Sequence, residues 1–293
     1  MAELSPRRRV TREIDTTVAE VIRETPDTTT LVLATPEPLR DYRAGQFVNI
    51  EPQQFPSLAP MIAHLQHLKG RKEHHRAYSL ASAPHEGRLA ITIKVEPYDP
   101  TRDRYPPLLS PHLTYAMHPG DRLKVSGFMG PYTLPDDVTD QASQILHVVA
   151  GSGAVPNFSM IKDALHRGLP LRHTLVFSNR TAQDIIYRQE LDALEQRHPD
   201  RLQVINLLTR EADDFAYDAR LRKGRVSQEL LTELMPDPNV CLAYVCGPAI
   251  TSWERRAALE KGEQATPRFL ESVIGYLQEL GLPSKRIKRE SYG

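Results

Sequence analysis

The sequence predicts two domains: a small antiparallel β-barrel followed by an α/β doubly wound parallel sheet. Three observations point there. At 293 residues the chain is long for one domain and ordinary for two. Up to about residue 140 it reads as short β-rich runs broken by Pro and Gly, and from Ile145 onward apolar runs alternate with helical patterns. The expected division is therefore 1–140 and 141–293.

In the first half the β-rich runs are 28–34, 46–50, 77–81, 89–95 and 122–126, with TPEP, HEG and HPGD as punctuation between them. Short strands separated by turn residues are the pattern of a hairpin-connected sheet. An insertion at about 53–75 interrupts this plan, and its centre, 58–69, has the spacing of a short amphipathic helix. In the second half ILHVVA is followed by GSGAVP and a helical pattern over 156–167, then by the apolar run HTLVFS. Helix 184–196, strand 203–208, helix 227–234, strand 240–246 and helix 268–280 complete the alternation, with an extra helix at about 250–266. Alternating strands and helices imply a parallel sheet, because each crossover needs a helix to return the chain.

Composition excludes several classes of function. Lys+Arg 37 against Asp+Glu 37 leaves no net charge, so no global field draws the chain to nucleic acid or an anionic membrane. No apolar stretch approaches the roughly 18 residues of a membrane span. The opening MAELSPRRRVTREID shows neither a secretory signal nor an anchor, which makes the cytoplasm the expected location. Cys241 and Cys246 are too few for a four-cysteine zinc site, an iron–sulfur cluster or a disulfide scaffold, and no metal is expected. His64, His67, His74 and His75 crowd the first insertion, but with Glu73 as the one nearby carboxylate they read as a solvated basic surface.

The chemistry begins at Gly151, Ser152, Gly153 and Pro156, directly after an apolar strand and opening a helix. Missing side chains let a phosphate approach backbone N–H groups at the positive helix end. The same spacing also suits a plain Gly-rich strand-to-helix turn.

The series Arg76-Ala77-Tyr78-Ser79, Ile93-Lys94-Val95, Gly130-Pro131, the Gly151 to Pro156 turn, Ser178-Asn179-Arg180-Thr181 and Cys246-Gly247-Pro248 occurs in that order. It resembles the ferredoxin–NADP reductase superfamily, and SNRTAQDIIYRQEL is similar to oxygenase-type reductase components without a fused ferredoxin domain. The resemblance implies a flavin-binding barrel followed by an NADP-binding domain, with FAD rather than FMN as the flavin. On the matching positions, Arg76 pairs with flavin phosphate, Tyr78 packs on the flavin and the Ser79 hydroxyl reaches flavin N5. Ile93, Lys94 and Val95 line the cofactor in the same way. Ser110 stands where the family holds the flavin pyrophosphate, but the family's preceding Gly is Pro107 here, which removes a donor and fixes φ.

Ser178, Arg180 and Arg188 match positions around the adenosine 2′-phosphate of NADPH, and no acidic residue directly follows HTLVFS, as an NAD ribose site would favour. Cys246 is set by the resemblance beside the nicotinamide, as a positioning group and not a nucleophile. The terminal Glu290-x-Tyr292 is similar to the family's acid-x-aromatic, in which the aromatic covers the flavin. Ser79, Cys246, Glu290 and Tyr292 are thus the candidate catalytic residues.

With no iron–sulfur ligands of its own, the chain is expected to pass electrons from NADPH through flavin to a ferredoxin or an oxygenase electron carrier. The alternatives are a flavin reductase or diaphorase, or a non-catalytic flavin- or nucleotide-binding subunit. Lys69, Arg71 and Lys72 are expected to form part of a docking face for an acidic carrier.

Overall fold

A computed structural model of the chain describes residues 12–100, 104–212 and 214–292, so Gly293 and part of the YDPTRDRYPP segment lie outside it. Six strands make the first sheet: β1 (Glu13–Thr25), β2 (Thr28–Ala34), β3 (Phe47–Ile50), β4 (Arg76–Ser79), β5 (Leu89–Lys94) and β6 (Arg122–Met129). They are antiparallel throughout in the order β4-β3-β6-β1-β2-β5, and the edges meet through the bridge Leu80↔Ile91, which curls the sheet into a barrel. Leu31, Leu33, Val48, Ile50 and Ile91 fill its interior.

The longest strand, β1, was not among the expected runs. Its inward residues Ile14, Thr16 and Val18 alternate with the exposed polar residues Glu13, Asp15 and Thr17, and its pairing with β2 shifts register between Val18 and Glu20, so no apolar run marks it. The first insertion does carry a helix, α1 (Ala59–Lys69), whose Ile62 and Leu65 pack on Leu108 at the start of α2 (Leu109–Tyr115).

After the short α3 (Val138–Gln141) the second sheet comprises β7 (Gln144–Ala150), β8 (Arg172–Asn179), β9 (Leu202–Leu208), β10 (Leu221–Lys223), β11 (Cys241–Pro248) and β12 (Ile287–Tyr292). All are parallel, in the order β10-β9-β8-β7-β11-β12. Helices α4 (Ala154–His166), α5 (Arg188–Arg197), α6 (Gln228–Leu234), α7 (Ser252–Glu260) and α8 (Phe269–Glu279) supply the layers packed on it. Both faces are covered, by one apolar cluster that includes Phe158, Ile161 and Leu191 and by another that includes Leu231, Val273 and Leu277. The strand order reverses between β7 and β11, and in open α/β sheets the crevice beyond the strand ends at that reversal is the ligand site.

Two element boundaries and one further element differ from expectation. Helix α5 begins at Arg188 because Asp184 caps Thr181 across a 3-10 turn and Tyr187 turns left-handed, at φ 56°. That conformation costs roughly 1–2 kcal/mol for a residue with a Cβ. The second inserted helix, α7, is shorter than 250–266 because Thr251 and Glu254 form a capping box that starts it. The charged tail IKRESY forms the edge strand β12, paired on one side with β11.

Between β7 and α4, residues Gly151–Gly153 form a 3-10 turn pressed on β11: a Cβ at Gly153 would lie 2.3 Å from the Cys246 carbonyl oxygen. Gly275, inside α8, has nothing within 4 Å of where its Cβ would be. Gly153→Ala is therefore expected to lower the unfolding free energy by about 1–3 kcal/mol through overpacking. Gly275→Ala should raise it by about 0.5–1 kcal/mol through helix propensity. Urea denaturation of both variants checks the pair.

Candidate functional site

The Gly151–Gly153 turn sits at the strand-order reversal. Gly151 has φ +53° with open space where a Cβ would stand, so the backbone is accessible on that side, while Gly153 seals the turn against β11 on the other. Pro156 is buried in the first turn of α4, where its missing N–H is harmless. The following residue, Asn157, donates from Nδ2 to the Gly153 carbonyl at 3.0 Å, and its Oδ1 accepts from His147 Nδ1 at 2.8 Å. His147 is buried and shifted down to about 4, so it is neutral and its proton stays on Nδ1. The turn is thus braced from beneath by a polar chain that sequence reasoning missed.

Beside the turn, strand register aligns Cys246 with Val149 on one side and with Glu290 on the other, and pairs Pro248 with Tyr292. Gly247 between them has the Phe269 ring where a Cβ would go. Tyr292 reaches the barrel, where its hydroxyl is hydrogen-bonded to Ser79 Oγ. The four expected catalytic residues, Ser79, Cys246, Glu290 and Tyr292, are therefore brought together where the two sheets meet. Burial pushes the Cys246 thiol well above its usual range, with Glu290 adding to the effect, so the thiol is protonated and not a nucleophile. Burial likewise raises Glu290 to about 7, and its Oε2 is buried without a hydrogen-bond partner.

On the barrel side, β4 pairs Arg76 with Ile50, Ala77 with Asn49, Tyr78 with Val48 and Ser79 with Phe47. Tyr78 packs partly against the barrel interior. Arg76 is not free: Nη2 donates to Glu73 Oε2 at 2.8 Å and Nη1 to the His74 carbonyl at 2.7 Å. Glu73 is buried and also bonded to Lys69 Nζ at 2.6 Å. Burial works to raise its carboxyl, but Lys69 and Arg76 outweigh it and hold it below the usual range. This corrects the expected docking role of Lys69, which is enclosed by Glu73 and lies 4.8 Å from the Tyr105 ring, whereas Arg71 and Lys72 stay exposed. The four-residue step from Lys69 to Glu73 and the three-residue step from Glu73 to Arg76 were the available signal.

Other expected contacts are dispersed. Ile93 is buried in the barrel, Lys94 is bonded to both Asp27 oxygens at 2.7 and 2.8 Å, and the Val95 N–H donates to the Asp27 carbonyl. Ser110 is the second residue of α2, with Pro107 before the helix and Pro111 inside its first turn, so the donors at that end are few. Ser178 lies at the end of β8 in register with Ala150, next to the Gly turn. Asn179 is buried and its Oδ1 has no partner. Arg180 is exposed and 3.8 Å from Glu96, and the exposed Arg188 acts on Asp218, whose carboxyl the backbone N–H groups of Leu221 and Arg220 already hold low.

These residues fit a pyridine nucleotide at the Gly turn, where the backbone is open at Gly151 and the end of β8 lies in register beside it. They fit a flavin phosphate at Arg76 to the extent that Glu73 shares the guanidinium. Among the described residues no group of three or more His, Cys, Asp or Glu gathers to hold a metal, and no helix is long and apolar enough to cross a membrane.

Residues 148–251 match the oxidoreductase NAD-binding domain family. Over 283 residues the chain is 27% identical to a subunit of 1,2-phenylacetyl-CoA epoxidase from Escherichia coli (strain K12), covering 94% of this chain and 67% of that one. Over 289 residues it is 28% identical to the ferredoxin reductase component of 3-ketosteroid-9-alpha-monooxygenase from Rhodococcus rhodochrous, covering 96% and 65%. The chain thus spans about two thirds of the length of these curated relatives. In fold it is similar to the flavohem-like FAD/NAD-binding domain of nitric oxide dioxygenase from Vibrio cholerae, with a TM-score of 0.70 at 21% identity, covering 96% and 98%. The resemblance to the ferredoxin–NADP reductase superfamily read from the motifs stands on both sequence and fold.

Glu290 makes stability depend on pH. Its folded value, about 7, exceeds the ordinary 4.5, so its protonated form favours the fold: the contribution is complete below about pH 4.5 and lost above about pH 7. Glu290→Gln is therefore expected to gain roughly 2 kcal/mol over the native protein between about pH 5 and pH 8. Denaturant titrations at the two pH values check this.

Proposed function

We propose that this ferredoxin reductase-like flavoprotein oxidoreductase is FAD-dependent, uses NADPH and passes electrons to a ferredoxin or another one-electron carrier protein in the cytoplasm. Residues 1–140 serve as its flavin domain and 141–293 as its nucleotide domain. The observation that carries this reading is the meeting of Ser79 from the barrel with Cys246, Glu290 and Tyr292 from the parallel sheet, beside the open Gly151 turn. Bound flavin supplies the chemistry of accepting an electron pair as hydride and releasing it singly.

The chain's own residues bind and orient. Arg76, Tyr78, Ser79 and Ser110 hold the flavin, with Glu73 and the His74 carbonyl keeping the Arg76 fork in place. The Gly151–Gly153 turn and the α4 N-terminus take the nucleotide pyrophosphate, and Ser178, Arg180 and Arg188 take the 2′-phosphate. Cys246 and Gly247 shape the nicotinamide seat: the thiol is neutral and small, and the missing side chain at position 247 leaves room for Phe269 behind it. Glu290 holds a proton up to about pH 7 within this seat. Tyr292 covers the flavin and must yield to the nicotinamide, which a contact of about 0.5–1.5 kcal/mol allows. NADH is the second reading, favoured by Glu96 beside Arg180 and Asp218 beside Arg188, which weaken the attraction for a dianion.

Purified flavin-loaded protein is expected to reduce a ferredoxin with NADPH in a saturable manner, and free flavins only slowly. Equal, unsaturable turnover with free flavin would favour a diaphorase. Arg76→Ala should lose flavin by roughly ten- to a hundredfold in affinity, the worth of a charged hydrogen bond of about 1.5–3 kcal/mol, and the flavin content of the purified variant checks it.

A further inference from the structure

Tyr187 is the one non-glycine residue with positive φ among the described residues, and it stands immediately before Arg188 at the start of α5. Left-handed backbone is unfavourable for a residue with a Cβ, so its surroundings must hold it. A closed ring of hydrogen bonds does so. The Tyr187 hydroxyl donates to Thr92 Oγ1 on β5. Thr92 Oγ1 is 2.7 Å from Thr30 Oγ1 on β2, and Thr30 donates to Glu24 Oε1 on β1 at 2.6 Å. Glu24 Oε2 accepts the backbone N–H of Tyr187 at 3.2 Å, closing the ring. Thr30 gives its one proton to Glu24, so Thr92 donates to Thr30, and both ends of the chain point their protons at the Glu24 carboxylate. The Tyr187 ring stacks on Phe158 of α4 at 4.2 Å.

The ring borders a cleft of about 290 Å³ between the barrel and helices α4 and α5. The charged groups facing Glu24 there are Glu190 and Arg197 from α5, Lys162 from α4, and Glu86 and Arg88 from the turn leading into β5. Glu86 and Lys162 are paired at 2.8 Å. Burial raises Glu24 above the usual carboxylate range, and Glu190 adds to the rise against the hydrogen bonds from Thr30 and Tyr187.

We propose that Glu24 is a positioning residue for nucleotide recognition: through Glu24 and Thr92 the barrel fixes the turn from which Arg188 leaves, and so fixes where its guanidinium meets the 2′-phosphate. The proposal rests on the reading of Arg188 given above. A purely structural role makes a different prediction. Because Glu24 is raised by burial, its stabilising contribution is present below the unfolded carboxylate value and is lost as pH rises through the folded one. A neutral Gln at this position removes the charge whose burial is unfavourable and keeps one acceptor oxygen. It does place an NH2 group opposite one of the two donors that the carboxylate accepted.

The test is equilibrium binding of NADP+ and NAD+ to the purified flavin-loaded protein at about pH 8, with thermal midpoints alongside. Glu24→Gln is expected to raise the NADP+ Kd about five- to tenfold and the NAD+ Kd less than about twofold. Tyr187→Phe, which opens the ring at Thr92, should move the ratio the same way. A lowered midpoint with equal weakening of both nucleotides would overturn the positioning role. Arg188→Ala separates the two claims: if it shifts the NADP+/NAD+ ratio and Glu24→Gln does not, the positioning role alone fails. If Arg188→Ala leaves the ratio unchanged, the reading of Arg188 fails and this proposal with it.

Discussion

The geometry of the site depends on one close approach, the backbone of the Gly151–Gly153 turn lying on the carbonyl of Cys246. No side chain fits between them, so the ends of β7 and β11 stay close at the point where the strand order reverses. That closeness sets the position of β12, which pairs with β11 residue for residue from Ala243↔Ile287 to Pro248↔Tyr292. Tyr292 is then carried to the barrel, where Ser79 meets it. The chain of dependence runs from a missing Cβ, through strand register, to a contact between two sheets 213 residues apart in sequence.

Three carboxylates show how this molecule, with no net charge, sorts its local electrostatics. Glu73, enclosed by Lys69 and Arg76, is held low and stays ionised. Glu24 is raised by its burial, with Glu190 adding to the rise and only neutral donors opposing it. Burial raises Glu290, which has one oxygen unpartnered, to about 7. The same residue type thus serves as an anchor for a cation, as an acceptor at a domain junction and as a proton holder at the site, according to what stands within hydrogen-bond reach.

Much of this was legible in the sequence. Apolar runs bounded by turn residues marked nine strands, because burial on one or both faces writes itself into residue type at period two or as a solid run. Strands β1, β10 and β12 escaped that signal: β1 alternates Ile14, Thr16 and Val18 with exposed polar residues, β10 has three residues, and β12 is a charged edge strand paired on one side. Motif order brought Ser79, Cys246, Glu290 and Tyr292 to notice before their positions were known. What the sequence withheld was side-chain pairing across long separations. Nothing local to Tyr187 announces that Glu24 and Thr92 hold it left-handed, and nothing in Lys69 alone shows that Glu73 removes it from the surface.

The central claim is that hydride passes where β4, β11 and β12 meet. Anaerobic rapid mixing of the flavin-loaded protein with one equivalent of NADPH, stereospecifically deuterated at the nicotinamide C4, addresses it most directly. Bleaching of the bound flavin with a primary isotope effect, at a rate that changes when Tyr292 is replaced by Ser, is the predicted result. Flavin that stays oxidised with both NADPH and NADH would contradict it.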